Sequence, residues 1–184
     1  YAVDHDGRIF RIKELYGCTG TPNVGVRWDP TRIAEEIKAA EKDDPLLHGR
    51  QIIGIADPSI FDESRGESVA AMMERKGVFW DGGDNTRIPG KMQFHYRLAF
   101  DEEGRPMLQV FSTCRHFIRT IPSLVYDETR VEDINTEMED HIYDECRYVL
   151  MENPISPRAC RKKEVPAEDP LDLFAEKKVR FLRI

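Results

Sequence analysis

The chain has 184 residues, 40% of them hydrophobic and 33% charged, with a formal net charge of −7 at pH 7. That length carries one domain with a real core and is short for two. The acidic balance argues against a generic nucleic-acid binder but not against a nuclease, whose metal site gathers carboxylates, and no run approaches the roughly 18 apolar residues of a membrane span.

The first stretch, "YAVDHDGRIFRIKELYG", predicts a β-hairpin: apolar positions alternate on both sides of "DHDG", a tight-turn signal. It has no initiator Met and already patterns as structure rather than as a leader, so the chain is expected to be part of something longer. "DPTRIAEEIKAAEK" predicts a helix, with Asp29 as cap, Pro30 at the first position, and Ile33 and Ile37 on one apolar stripe. "QIIGIADPS" is an apolar run closed by Asp-Pro, as expected of a buried strand. "GESVAAMMERKG" predicts a compact helix stopped by Gly77. "VFW" is a short strand candidate before "DGGDN".

Residues 86–100 pattern as a helix, with Met92, Tyr96 and Ala99 recurring at helix spacing and Pro89 near its start. "DEEG" is a turn and "MLQVFS" a strand. "CRHFIRTIPSLVYD" predicts a short helix broken near Pro122, and "ETRVEDINTEME" a loop. A last helix follows and ends near Asn153-Pro154. The domain is thus expected over 1–153, with a Pro- and charge-rich tail over 154–184. Basic residues outnumber acidic ones in 158–184, so the rest of the chain is more acidic than the total. A hairpin followed by alternating strands and helices predicts an α/β layout, a central sheet covered by helices. The four cysteines, Cys18, Cys114, Cys146 and Cys160, form no CxxC pair. They fit free thiols in a reducing cytoplasm better than a zinc site or a disulfide framework.

"EDHIYDECRYVL" (139–150) packs acids around one histidine. At about 100° per residue, Ile142, Cys146, Val149 and Leu150 share a core face, while Asp140, His141 and Asp144 fall on the other side. Both Asp140 and His141 lie beside Asp144 at helix-neighbour spacing. One reading is a divalent cation that turns carboxylate repulsion into coordination. The other is an acidic helix start, favoured by the macrodipole by roughly 0.3–1 kcal/mol per acid, with Arg147 paired to Asp144. Asp57, at the end of an apolar strand, is either a turn cap or a functional group of the kind that collects at strand ends. A strand-end Asp and a helix-borne Asp are the minimum donors for a hard cation such as Mg²⁺, which keeps several waters.

Four stretches in order, "DGRIFRIKELYG", "GIADPSIFD", "DNTRIPGKMQFHYRLAF" and "EDHIYDECRYVLM", with "CRHFIRTIPSLVYD" between the last two, carry a resemblance. Over residues 1–153 the chain resembles the C-terminal nuclease domain of the large terminase subunit of tailed bacteriophages. The resemblance implies a ribonuclease-H-like α/β fold, a mixed central sheet flanked by helices, with the first strand truncated. It implies a metal-dependent endonuclease that cuts concatemeric double-stranded DNA during genome packaging, using one or two Mg²⁺ or Mn²⁺ ions. Asp57 and Asp144 match the strand-end and helix acids, with His141 as a neighbouring ligand or proton handler and Asp140 as an additional metal candidate. The family's first acid has no match here and is expected upstream of Tyr1, which implies weak or no activity for this chain alone. The implied partners are an N-terminal ATPase motor domain, the small terminase subunit and the portal, in the host cytoplasm and away from membranes. No GxxxxGK[ST] phosphate loop occurs in this chain.

Arg87 and Lys91 are candidate phosphate contacts, with Asp81 or Asp84 near the site; the alternative is a helix cap by Asp84 or Asn85 amid surface charge. Arg115 and Arg119, with His116, form a second basic cluster, with phosphate contact or a solvated helix face as its readings. The basic tail is either a DNA or docking segment or a solvated end, and Trp28 and Trp80 read as packing residues. Two other functions remain open on the sequence: another ribonuclease-H-like nuclease of resolvase or transposase type, and a catalytically incomplete docking module of the packaging motor.

Overall fold

The computed structural model describes residues 1–156. Apart from 154–156, the expected tail, with Cys160 and its basic runs, lies outside the described residues.

The opening hairpin forms from β1 (Ala2–Val3) and β2 (Ile9–Arg11), antiparallel, with Val3 opposite Ile9. Its turn is organised by Asp4, whose Oδ1 accepts from the amides of Asp6 at 2.9 Å and Arg8 at 2.8 Å. Gly7 supplies the positive φ, +77°, that an L side chain resists. Helix α1 (Pro30–Asp43) starts as expected, with Asp29 accepting from the Arg32 amide at 2.9 Å and Pro30 in the first turn. Its buried contact differs from the expected stripe. Ala34 is fully buried beside Met73 and Val78, with Ile37 and Trp80 packed on them, while Ile33 is exposed. A small side chain at the crossing lets α1 approach its neighbour closely.

Strand β3 (Ile55–Ala56) ends where Asp57-Pro58 follows, and Pro58 opens a 3₁₀ turn (Pro58–Phe61); it is half-buried where a buried strand is expected, and Ile52 and Ile53 of the same run are exposed outside it. Helix α2 (Val69–Glu74) is capped by Ser68. Gly77, at φ +79°, lies just beyond its end. Strand β4 is Asp81–Gly82, just after the expected 78–80, and runs parallel to β3 with Ala56 opposite Gly82. Helix α3 (Arg87–Leu98), β5 (Leu108–Val110), α4 (Arg115–Thr120) with a 3₁₀ turn (Ile121–Ser123), and α5 (His141–Glu152) complete the order.

The described strands form a mixed sheet of order β1-β2-β5, in which β5 lies parallel to β2, and a separate parallel pair β3-β4. The architecture is therefore mixed α/β, with two short ladders where one central sheet is expected. The main core joins Ile9 and Leu108 of the sheet to Cys114, Phe117, Ile142, Cys146 and Leu150. Phe94 of α3 stacks on Tyr143 of α5 at 4.8 Å between centroids. Each such large side chain, fully buried, contributes roughly 1.5–3 kcal/mol.

Helix α3 buries a different face from the expected Met92, Tyr96 and Ala99. Gly90, Lys91, Gln93, Phe94 and Arg97 are buried instead, and Met92 is exposed. The polar members can go inside because each captures backbone. Gln93 exchanges two hydrogen bonds with Ile155, at 3.1 and 2.8 Å, and Arg97 donates to the carbonyls of Gly7, at 3.0 Å, and Asn153. Arg97 thereby ties the hairpin turn to the end of α5. Among the described residues no helix is long and apolar enough to cross a membrane.

Candidate functional site

Asp57 leaves the sheet where β3 ends, and β4 ends beside it: the Gly83 amide donates to the Ala56 carbonyl at 2.8 Å. Two parallel strands thus deliver their following loops, with Asp57 on one and Asp84 on the other, to the same edge. Asp57 does cap a turn, since Oδ1 accepts from the Ser59 amide at 2.8 Å. Its Oδ2 also accepts the phenolic hydrogen of Tyr148 on α5. These bonds, from Ser59 first and then Tyr148, hold the carboxyl below its ordinary pKa, with help from the charge of Arg147.

Helix α5 can reach this edge because two glycines face it. A Cβ on Gly83 would stand 3.1 Å from the Tyr148 Cβ, and a Cβ on Gly90 of α3 would stand 2.5 Å from the Arg147 Cδ. Arg147 is 2% exposed. Its Nη1 donates to the Asn85 carbonyl at 2.7 Å, while Nε and Nη2 donate to Asp144 Oδ1 at 3.2 and 3.0 Å. Arg87 Nη1 reaches the same Oδ1 at 3.4 Å. Asp144 Oδ2 accepts no hydrogen bond among the described residues. Asp84 Oδ1 accepts from the Thr86 amide at 2.8 Å and from its hydroxyl; these bonds, and then the Arg147 charge, hold its carboxyl low. Arg147 is therefore the cation common to Asp57, Asp84 and Asp144.

Asp140 and His141 stand apart from this arrangement. Asp140 precedes α5 without a capping hydrogen bond, yet its side chain is 9% exposed. Burial, and then repulsion from Asp144, raise its carboxyl pKa. His141 is 68% exposed; its Nδ1 pairs with Asp140 at 3.9 Å, and among the described residues no bond links it to Asp144. It lines a shallow pocket with Tyr16, Cys18 and Asn23.

Of the four expected phosphate contacts, three have intramolecular partners. Arg87 pairs with buried Asp133 at 2.5 Å as well as with Asp144. Lys91 is buried, donates to the Glu132 carbonyl and lies 4.2 Å from the Tyr126 ring centroid. Arg119 makes a two-pronged pair with Glu139, both bonds 2.7 Å. Arg115 is exposed. The polar segment between the Ile121–Ser123 turn and α5 supplies a partner to each of the three, Asp133, Glu132 and Glu139, so its acids and carbonyls take up these charges within the chain.

The donors fit a hard divalent cation only in part. Asp144 has one oxygen without a hydrogen bond among the described residues, and Asp57 accepts from Tyr148, four residues further along α5. Among the described residues, however, no three His, Cys, Asp or Glu side chains converge closely enough to share an ion. Arg147 was legible as a partner of Asp144 from its spacing. Tyr148 and Asp133 were not: one lies outside both the expected core stripe and the acid cluster of its helix, and the other is a loop acid. The Arg-Tyr pair following Asp144 by three and four residues, on one helical face, is the signal that places Tyr148. Comparison with known proteins adds no relative: no family model matches the chain, and neither a curated protein nor a solved structure does.

Proposed function

We propose that this chain is a metal-dependent DNA endonuclease domain of the viral packaging-terminase type, with a ribonuclease-H-like arrangement of its strands and helices. The observation that carries the reading is the juxtaposition of Asp57 and Asp144, each bonded to one of two adjacent residues of α5, Tyr148 and Arg147. An acid at a parallel strand end facing an acid on a helix suits Mg²⁺ or Mn²⁺, which take carboxylate oxygens and keep waters. Asp57 and Asp144 Oδ2 would hold the ion. Bound there, a divalent cation lowers the pKa of water and neutralises charge on a phosphodiester. The chain's own part is to orient the two carboxylates. Tyr148 fixes Asp57 and Arg147 fixes Asp144, so that two adjacent residues of α5 hold one acid each. The substrate is double-stranded DNA, and the cellular setting is the host cytoplasm, with an ATPase motor, small terminase subunit and portal as partners.

The test is conversion of supercoiled plasmid to nicked and linear forms by the 184-residue chain with Mn²⁺ or Mg²⁺. Cleavage that disappears with EDTA and in Asp57→Asn and Asp144→Asn supports the reading. Cleavage unchanged in both variants removes the assignment.

One observation favours a second reading, a docking module of the same machinery. Both acids already have protein partners, Tyr148 for Asp57 and two arginines for Asp144. That reading predicts no Mn²⁺-dependent cleavage, but capture of motor, small-subunit or portal components by the intact chain.

A further inference from the structure

We propose that residues 171–184 of this chain cover the outward face of helix α3, an interaction surface independent of the acids at the strand end. Helix α3 is inside out. Its buried positions include Lys91, Gln93 and Arg97, each donating to backbone carbonyls. Its exposed positions are Ile88, Pro89, Met92, His95 and Leu98, of which only His95 is polar. At about 100° per residue, Ile88, Met92, Tyr96 and Ala99 form one stripe at helix-neighbour spacing. Ile88 is 40% and Met92 38% exposed, Tyr96 is half-buried, and Phe100, just past the stripe, is 73% exposed. An apolar stripe with no charge inside it marks a surface that another apolar segment covers.

The chain itself delivers the occupant. After α5 it meets α3 at Gln93, the neighbour of Met92, whose side chain exchanges hydrogen bonds with Ile155 at 3.1 and 2.8 Å. In the 14 residues 157–170, Val165 is the one large aliphatic or aromatic side chain. In 171–184, by contrast, Leu171, Phe174, Val179, Phe181, Leu182 and Ile184 stand among four basic and two acidic residues. Fourteen residues extend to roughly 45–50 Å. A 12-residue helix such as α3 is only about 18 Å long, so 171–184 can reach every point of the stripe. The turn beyond Phe100 carries Asp101, Glu102 and Glu103 against Arg105, an excess of negative charge. The apolar residues of 171–184 suit the stripe, and its lysines and arginines suit that acidic end. Because the segment belongs to the same chain, its docking is intramolecular and needs no second molecule.

The experiment is photo-cross-linking in the full 184-residue chain, with Met92 replaced by p-benzoylphenylalanine and the joined peptides mapped by mass spectrometry. Each variant is checked for folding by circular dichroism. A bond from position 92 to residues 171–184 of the same chain is the expected result. Mixing isotopically light and heavy chains separates bonds within one molecule from bonds between two. In Phe181→Asp/Leu182→Asp the yield should fall by roughly tenfold or more, because an unpaired carboxylate is costly to bury against an apolar stripe. The same probe in place of Leu98, exposed about 120° around the helix from Met92, should give little of this bond. Bonds only between chains, bonds only to other segments or none at all overturn the proposal. Equal yield from Leu98, or an undiminished yield with the paired aspartates, overturns it as well. If the Met92 variant does not fold, Ile88 carries the probe and the same criteria decide.

Discussion

Tyr148 gives its phenolic hydrogen to Asp57, a residue 91 positions earlier in the chain. One hydrogen bond thus joins the end of β3 to the middle of α5. A two-residue ladder holds an acid poorly by itself, so the helix supplies the fixing that the short strand lacks. The same bond accounts in part for the low carboxyl pKa of Asp57, and burial first, then this bond, push the Tyr148 phenol up to about 12.

Tyr148→Phe should therefore destabilise the fold by roughly 1.5–3 kcal/mol, the usual worth of a hydrogen bond to a charged group. The Asp57 carboxyl should titrate closer to its ordinary value in the variant. Urea denaturation and side-chain carboxyl NMR measure the two effects. An unchanged midpoint together with an unchanged Asp57 titration would count against the bond.

Gly90→Ala tests the close approach of α3 and α5. The added Cβ would stand 2.5 Å from Arg147 Cδ, inside any ordinary contact. Overpacking of this kind costs typically 1–3 kcal/mol, more than the roughly 1 kcal/mol that alanine gains over glycine in a helix. Chemical denaturation should show a net loss of stability. A gain would mean that Arg147 can move aside freely.

Asp140→Asn should raise the melting temperature at neutral pH. Burial and the nearby Asp144 charge raise the Asp140 pKa, so its ionised form is disfavoured in the folded chain. For a group with a raised folded pKa, the contribution to stability is full below the unfolded pKa and is lost as pH rises through the folded one. The advantage of the variant should therefore shrink as the solution is acidified. Melting curves at several pH values check the sign.

Acid itself should unfold the chain through other carboxylates. Bonds from Arg119 hold Glu139 at about 2, against 4.5 ordinarily, and bonds from Thr129 and Arg130 hold Asp127 at about 2, against 3.8. Depressed groups give stability that is present above the unfolded pKa and lost as pH falls through the folded value. The decline should run between those limits. In Glu139→Gln it should be shallower, as followed by far-UV circular dichroism.

Lys91→Met should loosen the 126–134 loop. Lys91 holds that loop through the Glu132 carbonyl and the Tyr126 ring. Losing the hydrogen bond costs about 1 kcal/mol. Faster amide exchange at Asp127 and Asn135, whose amides bond across the loop, should reveal it. Uniform exchange changes over the whole chain would mean global destabilisation instead.

The order and type of elements were largely legible in the sequence. Turn chemistry at Asp4 and Gly7, the Asp29-Pro30 start and the Gly77 stop are local signals, and the structure uses each one locally. What periodicity could not show was which polar residues go inside. Gln93, Arg97 and Arg147 are polar, yet each is buried because a distant backbone carbonyl accepts its hydrogen. The face of α3 was misread for the same reason. Asp57 and Asp144 were legible as a strand-end acid and a helix acid. Their link through Tyr148 was not, because a tyrosine's helical position gives no sign of where its hydroxyl points. Arg87, Lys91 and Arg119 looked available because loop acids and carbonyls far along the chain are invisible to a local reading.

The parallel pairing of β2 with β5, and the ion pair of Arg11 with Glu145, have a consequence for how the chain is made. The central strand is synthesised before its parallel neighbour β5 and before α5. Ile9 must wait for Leu108 and then for Cys146 and Leu150 before water leaves its surroundings. Such distant pairings are slow to form, because loop closure precedes the contacts that reward it. Between the synthesis of β2 and that of α5 the hairpin leaves Ile9 uncovered, the kind of transient apolar exposure that favours aggregation over folding.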